Sequence, residues 1–265
     1  MVPDGGGPDG RVKAMEDRDR RARSFGAVAD RYARARPGYP AAAVEWLLEA
    51  APGREVVDLA AGTGKLTEAI VESGAAVVAV EPDDEMRATL RAGLPDVEAL
   101  AGTAESIPLL DASADAVLVA QAFHWFEPEL ACTEIARVLR PGGVLGLVWN
   151  LRDGSVPWVA DLDRLLDWPA DVVARAGELS FEEIERHPAF TADGRRSFPN
   201  PVAFTPSRLV DWAASTSRVA TRPEAERETL LTAVADLARM HPDLHEQPVF
   251  AMPYTTVALR FCRSR

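Results

Sequence analysis

Apolar residues over the first 150 positions fall into short unbroken runs, separated by longer stretches where they recur every three to four residues. The runs lie near 55–59, 76–80, 97–100, 115–120 and 143–149. Runs this short and uniformly apolar predict strands covered on both faces, as in a parallel sheet. Intervening stretches such as Lys65 to Ser73 carry the helical period. Strands alternating with helices predict an α/β domain on a doubly wound, mostly parallel sheet of the Rossmann-like kind. Right-handed crossovers then bring the strand-to-helix turns to one edge of that sheet.

The flanks follow other rules. Met1 to Ser24 is rich in Gly, Asp and Arg and has little to bury, which predicts disorder. Phe25 to Arg34 has helical spacing broken by Pro37 and Pro40, and Ala41 to Ala50 predicts an amphipathic helix stopped by Pro52-Gly53. Pro157 to Gly177 predicts a helix interrupted at Pro169. Arg195 to Thr205 and Val249 to Cys262 alternate as late strands, with helices at Ser207–Ser217 and Glu224–His241 between them. The expected organisation is a disordered 1–24 followed by one domain over 25–265. Its parts are a lid segment at 25–54, a core at 55–150 and a carboxyl-terminal part at 151–265. Trp158, Trp168 and Trp212 fall in the last part, where packing and a role as pocket walls are both open to them.

The turn after the first strand carries the chemistry. Asp58-Leu59-Ala60-Ala61-Gly62-Thr63-Gly64 sets an acid at the strand's carboxyl end, then two glycines, then a helix from Lys65. Glycines let a ligand approach the main chain, and the helix start offers unpaired N–H groups. The second strand ends in Glu81, about 20 residues beyond the turn, where an acid reaches ribose hydroxyls. As a strand-end carboxylate, Glu81 is expected to matter little for packing. A dinucleotide fingerprint wants a small third residue where this chain has Thr67. Asp58 repels a pyrophosphate and attracts an ammonium or sulfonium. The pattern therefore favours S-adenosylmethionine over a nicotinamide or flavin dinucleotide.

Four segments, in order, resemble the motifs of class I S-adenosylmethionine-dependent methyltransferases. They are Asp58 to Gly64, with Ala60 where a glycine is usual; Val80-Glu81-Pro82-Asp83-Asp84-Glu85-Met86; Ala101-Gly102-Thr103-Ala104-Glu105-Ser106-Ile107-Pro108; and Leu139-Arg140-Pro141-Gly142-Gly143-Val144-Leu145. Phe25 to Tyr32, Arg36-Pro37-Gly38-Tyr39-Pro40, Phe123-His124-Trp125-Phe126, Val148 to Asp153 and Pro253-Tyr254-Thr255-Thr256 are similar to the trans-aconitate-methyltransferase-like (type 11) group. The resemblance implies a seven-stranded sheet with an antiparallel last strand and a cap insertion, about 206–241, over the substrate pocket. It implies cofactor contacts at Tyr32, Arg36, Asp58, Ala60, Gly62, Thr63, Gly64, Glu81, Pro82, Met86, Thr103, Ala104, Glu105 and Gln121. Arg36 is open to pairing with the donor's methionine carboxylate or to a surface position, and the segment at 101–108 is similar to the one that meets the adenine.

His124, just past the fourth strand, is the candidate general base, with packing within Phe123-His124-Trp125-Phe126 as the other role open to it. The other histidines, His187, His241 and His245, look like surface residues. Position 121 separates subtypes. An amide-nitrogen or DNA methyltransferase would show Asn/Asp-Pro-Pro-aromatic there, and a metal-dependent catechol type a carboxylate; Gln121 suits neither, so no metal is expected. A net charge of −12 opposes nucleic-acid binding. Cys132 and Cys262 make neither a disulfide framework nor a zinc site, and Cys132 suits a core position. No apolar run spans a bilayer and no signal-like segment leads the chain. The expectation is a cytoplasmic enzyme, monomer or homodimer, methylating a small molecule at oxygen, with a carboxylate favoured over a hydroxyl. A nicotinamide-dependent oxidoreductase and a non-catalytic cofactor-binding protein are the competing readings.

Overall fold

The computed structural model describes residues 36–168 and 182–264. The disorder expected at 1–24, the helix at Phe25–Arg34, Tyr32 and the second half of the 157–177 helix fall outside them. Helix α1 (Ala41–Leu48) precedes strand β1 (Glu55–Leu59); then follow α2 (Lys65–Glu72), β2 (Ala76–Val80), α3 (Asp84–Gly93), β3 (Glu98–Leu100), β4 (Ala114–Ala120), α4 (Pro128–Val138) and β5 (Leu139–Arg152). Beyond these come α5 (Pro157–Leu165), α6 (Glu182–Arg186), β6 (Phe190–Phe204), α7 (Pro206–Ala214), α8 (Ser217–Ala220), α9 (Glu224–Met240) and β7 (Phe250–Arg263).

The seven strands form one sheet in the order β3-β2-β1-β4-β5-β7-β6. The first five pair in parallel, and β7 runs antiparallel to both β5 and β6. Strand order reverses between β1 and β4, the point where open α/β sheets leave a crevice at their carboxyl edge. Both sheet faces are covered. Leu47, Ile70, Leu118 and Val148 pack under α1 and α2, and Phe123, Ile135, Leu145 and Phe261 pack on the α4 side.

Two strands outrun their expected lengths. β5 extends to Arg152 and β6 starts at Phe190, because β7 gives each a long antiparallel partner that continues past the parallel core. The α5 helix stops at Leu165, before Pro169. The expected 207–217 helix is cut after Ala214, where the Ser215 N–H bonds back to Asp211 and Trp212. Helices α7, α8 and α9 lie between β6 and β7 in the chain, and with α5 they close a separate apolar cluster over Phe204, Phe250, Met252 and Tyr254. Trp158 and Trp212 are 4% and 0% exposed within it, so both rings are packed into this cluster.

His187 corrects another expectation. It is buried, not on the surface, with its ring beside Thr133 and Phe190. Cys132 is fully buried, and burial pushes its thiol up to about 12. No helix among the described residues is long and apolar enough to cross a membrane.

Candidate active site

At the carboxyl edge, the turn between β1 and α2 is stitched to β2. The Ala61 N–H donates to Val80 O at 3.1 Å, and the Gly64 N–H closes on Ala61 O at 3.0 Å. Ala60, Gly62 and Gly64 all take left-handed backbone angles, with φ of 57°, 58° and 88°. A β-carbon makes that conformation unfavourable, which is the physical reason a glycine is usual where Ala60 stands. A side chain on Gly62 would meet only Met86 Sδ, at 3.9 Å, so the space above the turn is open. Gly64 is needed for packing as well, because a Cβ there would press on Leu90 at 3.0 Å.

Glu81 reaches across to this turn. Its Oε2 accepts from the Gly62 N–H at 2.8 Å and its Oε1 from the Asp83 N–H at 2.9 Å. Burial raises its pKa, against the pull of those two donors. Asp83 in turn caps α3, accepting from the Glu85 and Met86 N–H groups. At 5% exposed, Glu81 is therefore a framework residue, which corrects the expectation that it matters little for packing. Glu81→Ala is expected to lower the ligand-free stability by about 1–3 kcal/mol, because two backbone donors lose their acceptor. Urea denaturation checks this, and an unchanged midpoint would mean that water replaces the carboxylate freely.

Asp58 is fully buried beneath the turn. Its Oδ2 accepts from Thr67 Oγ1 at 2.6 Å, while Oδ1 has no hydrogen-bond partner. Burial pushes its carboxyl up to about 7; Thr67 opposes this and Glu81 adds to it. Thr63 Oγ1 is likewise buried without a partner. The site thus offers acceptors in excess of donors, and it favours a ligand with a cationic head and hydroxyls.

Past β4, Gln121 also takes a left-handed angle (φ 53°), and its N–H donates to Val148 O at 2.9 Å. Strain of this kind collects at ligand-facing edges. It turns the chain into the Phe123–Trp125 helical turn, where Phe123 is buried and His124 is exposed with its ring 4.6 Å from that of Trp125. After β3, Thr103 and Ser106 pair in a tight turn, and Glu105 Oε1 accepts from the Glu127 N–H at 3.0 Å. Ala104 is buried there, and Pro82 is exposed. The structure brings Asp58, Ala60, Gly62, Thr63, Gly64, Glu81 and Met86 together; Gln121, His124 and the 103–105 turn lie at the carboxyl ends of their own strands along the same edge.

Polar side chains beyond the glycine turn tie the segment before α1 to the sheet and to α7. Asn150, at the end of β5, donates to Gly38 O at 3.1 Å and accepts from Thr256 Oγ1 at 2.5 Å. Asn200 donates to both Gly38 O and Asn150. Arg36 donates to Ser215 O at 3.3 Å, so the segment before α1 touches the end of α7. Arg152 is ion-paired with Asp163 at 2.5 Å and lies 4.7 Å from the ring centres of both Trp168 and Trp212. Asn150, Arg152 and Thr256 had a sequence signal only as motif positions with no side-chain partner assigned, and Asn200 had none.

An acid–glycine turn and a second acid, at the switch point of a mostly parallel sheet, define a nucleoside-cofactor enzyme. Residues 57–147 match the family model described as a methyltransferase domain. An uncharacterized methyltransferase of Mycobacterium bovis is 47% identical over 89% of this chain and 94% of its own length. A methyltransferase-like protein of Schizosaccharomyces pombe is 36% identical over 87% and 91%. A provisionally assigned type II methyltransferase of Anaeromyxobacter dehalogenans superposes with a TM-score of 0.59 at 25% identity, over 87% of this chain and 97% of that one. The chain belongs to the type 11 group of class I S-adenosylmethionine-dependent methyltransferases.

Proposed function

We propose that this enzyme methylates a small molecule at oxygen, with a carboxylate as the preferred acceptor. The observation that carries the cofactor assignment is the buried Asp58 carboxyl with one oxygen unpartnered, beside a glycine turn with open space above it. Asp58 and the Thr63 hydroxyl suit the donor's amino-acid end, and Glu81, still able to accept through its remaining lone pairs, suits the ribose hydroxyls. Pro82 and Met86 line the nucleoside side, with Thr103, Ala104 and Glu105 toward the adenine. Ala60, Gly64 and Gln121 shape the backbone there, and Arg36 lies in the segment that leads into α1. S-adenosylmethionine supplies a methyl group already activated on a sulfonium, so the protein's own task is alignment and exclusion of water. The dinucleotide reading is weakened by the Gly62 N–H, which is directed to Glu81 and is not free for a phosphate.

Titration calorimetry with S-adenosylmethionine, its demethylated product and NAD tests the assignment. The first two are expected to bind and NAD to give no heat. Glu81→Ala is expected to weaken the donor by about 1.5–3 kcal/mol, the range for charged hydrogen bonds. Tighter binding of NAD than of the methyl donor would overturn the proposal.

A carboxylate acceptor is ionised above about pH 5 and needs no base. His124→Gln is therefore expected to cost tenfold or less in rate, through positioning alone. A loss near a thousandfold with intact donor binding, together with a vanished acid limb in the pH profile, would instead make His124 the base for a hydroxyl acceptor.

A further inference from the structure

Trp212 is fully buried on α7, yet its indole N–H has no hydrogen-bond partner. Four residues earlier, and so on the same helix face, Arg208 Nε is also buried without an acceptor. The rest of the Arg208 guanidinium is anchored: Nη1 donates to Ala203 O at 2.7 Å, and the group lies 4.7 Å from the Phe204 ring centre. Buried donors are normally satisfied, and two adjacent exceptions on one face need an explanation.

Their surroundings are cationic. Tyr254, cross-strand neighbour of Arg152, has its hydroxyl pKa raised by burial against the opposing charges of Arg152, Arg36 and Arg208. Asp163 is ion-paired to Arg152. Three guanidinium groups gathered around one buried hydroxyl in a chain of net charge −12 are a local arrangement, not a reflection of composition. We propose that the cap carries an anion site, in which the Trp212 N–H and the Arg208 guanidinium hold an acidic group of the acceptor, remote from the atom that is methylated.

The register sets the separation. Leu59 is level with Val119, and Val119 with Leu147, so Arg152 stands five residues further along its strand. At about 3.3 Å per residue this is roughly 16 Å beyond the level of the cofactor turn. The anion site and the cofactor turn therefore bracket the acceptor from opposite ends. Donors without matching acceptors select against a neutral amide or alcohol, and paired N–H groups suit a carboxylate or a phosphate.

This inference rests on the methyltransferase reading, and one experiment separates the two. The full-length protein, saturated with S-adenosylhomocysteine, is titrated with succinate, glutarate, benzoate, inorganic phosphate and neutral succinamide. At least one anion is expected to bind and succinamide not to. Trp212→Phe, which keeps the ring, and Arg208→Gln are each expected to weaken that anion tenfold or more while leaving S-adenosylhomocysteine affinity unchanged. Binding by carboxylates marks an acidic acceptor, and binding by phosphate alone marks a phosphorylated one. Succinamide binding as well as succinate, no anion binding, or undiminished binding in both variants would overturn the cap site. Failure of S-adenosylhomocysteine to bind would overturn the methyltransferase reading itself.

Discussion

Asp58→Asn is expected to stabilise the ligand-free protein at pH 8 while loosening its hold on the methyl donor. The Asp58 carboxyl is completely buried, and that burial pushes its pKa from 3.8 up to about 7. Unfolding returns it to an ordinary carboxylate, so between about pH 4 and pH 7 the native state binds the extra proton. The proton's contribution to stability is complete below the unfolded pKa and is lost as pH rises through the folded one. A tenfold change in proton affinity corresponds to about 1.4 kcal/mol, so the loss across that window is on the order of a few kcal/mol. Asparagine cannot ionise, and its carbonyl still accepts from Thr67 Oγ1. The variant should therefore melt higher than wild type at pH 8, with the gap closing near pH 4. A donor ammonium loses its counter-charge, and affinity should fall by about 1.5–3 kcal/mol. Scanning calorimetry at both pH values and donor titration check both halves. A lower melting point at pH 8 with undiminished donor binding would make Asp58 purely structural.

The second large effect is expected at Arg152. Arg152→Met should cost about 3–5 kcal/mol, because it leaves the buried Asp163 charge uncompensated. It also removes the guanidinium from beside Trp168 and Trp212. The double variant Arg152→Met with Asp163→Leu should recover most of that loss, since exchanging a buried pair for apolar residues is often neutral. Urea denaturation of the three proteins decides it. Equal losses in the single and double variants would assign the cost to lost cation–ring packing instead.

The parallel core was legible because its strands are short, apolar on both faces and separated by helical spacing; all five expected strands overlap those observed. The glycine turn was legible because left-handed angles leave a compositional mark, although Ala60 adopts one with a β-carbon. Glu81 was legible as the acid at the end of β2 but not as framework. Its bonds to the Gly62 and Asp83 N–H groups depend on how β2 sits against the turn. His187 was misread because its neighbours in sequence are polar, while the element that buries it, α4, lies more than 40 residues away. Arg152 and Tyr254 were visible only as motif letters. Their meeting depends on the β5–β7 register, which no local pattern encodes.

The sequence by itself determined the fold class, the sheet edge that carries the glycine turn and the two acids beside that turn. Strand burial, helical period and backbone permissiveness are local properties, and each residue carries its own share of them. Tertiary structure alone decided which polar atoms were left over. Whether Asp58 Oδ1, the Trp212 N–H or Arg208 Nε is satisfied depends on groups brought in from distant strands and helices, and hydrogen bonding is short-ranged and directional. Hydrophobic burial tolerates such details and so can be read from pattern. The fine chemistry of the site does not tolerate them, and it appears only when the cap, the lid segment and the sheet edge are brought together.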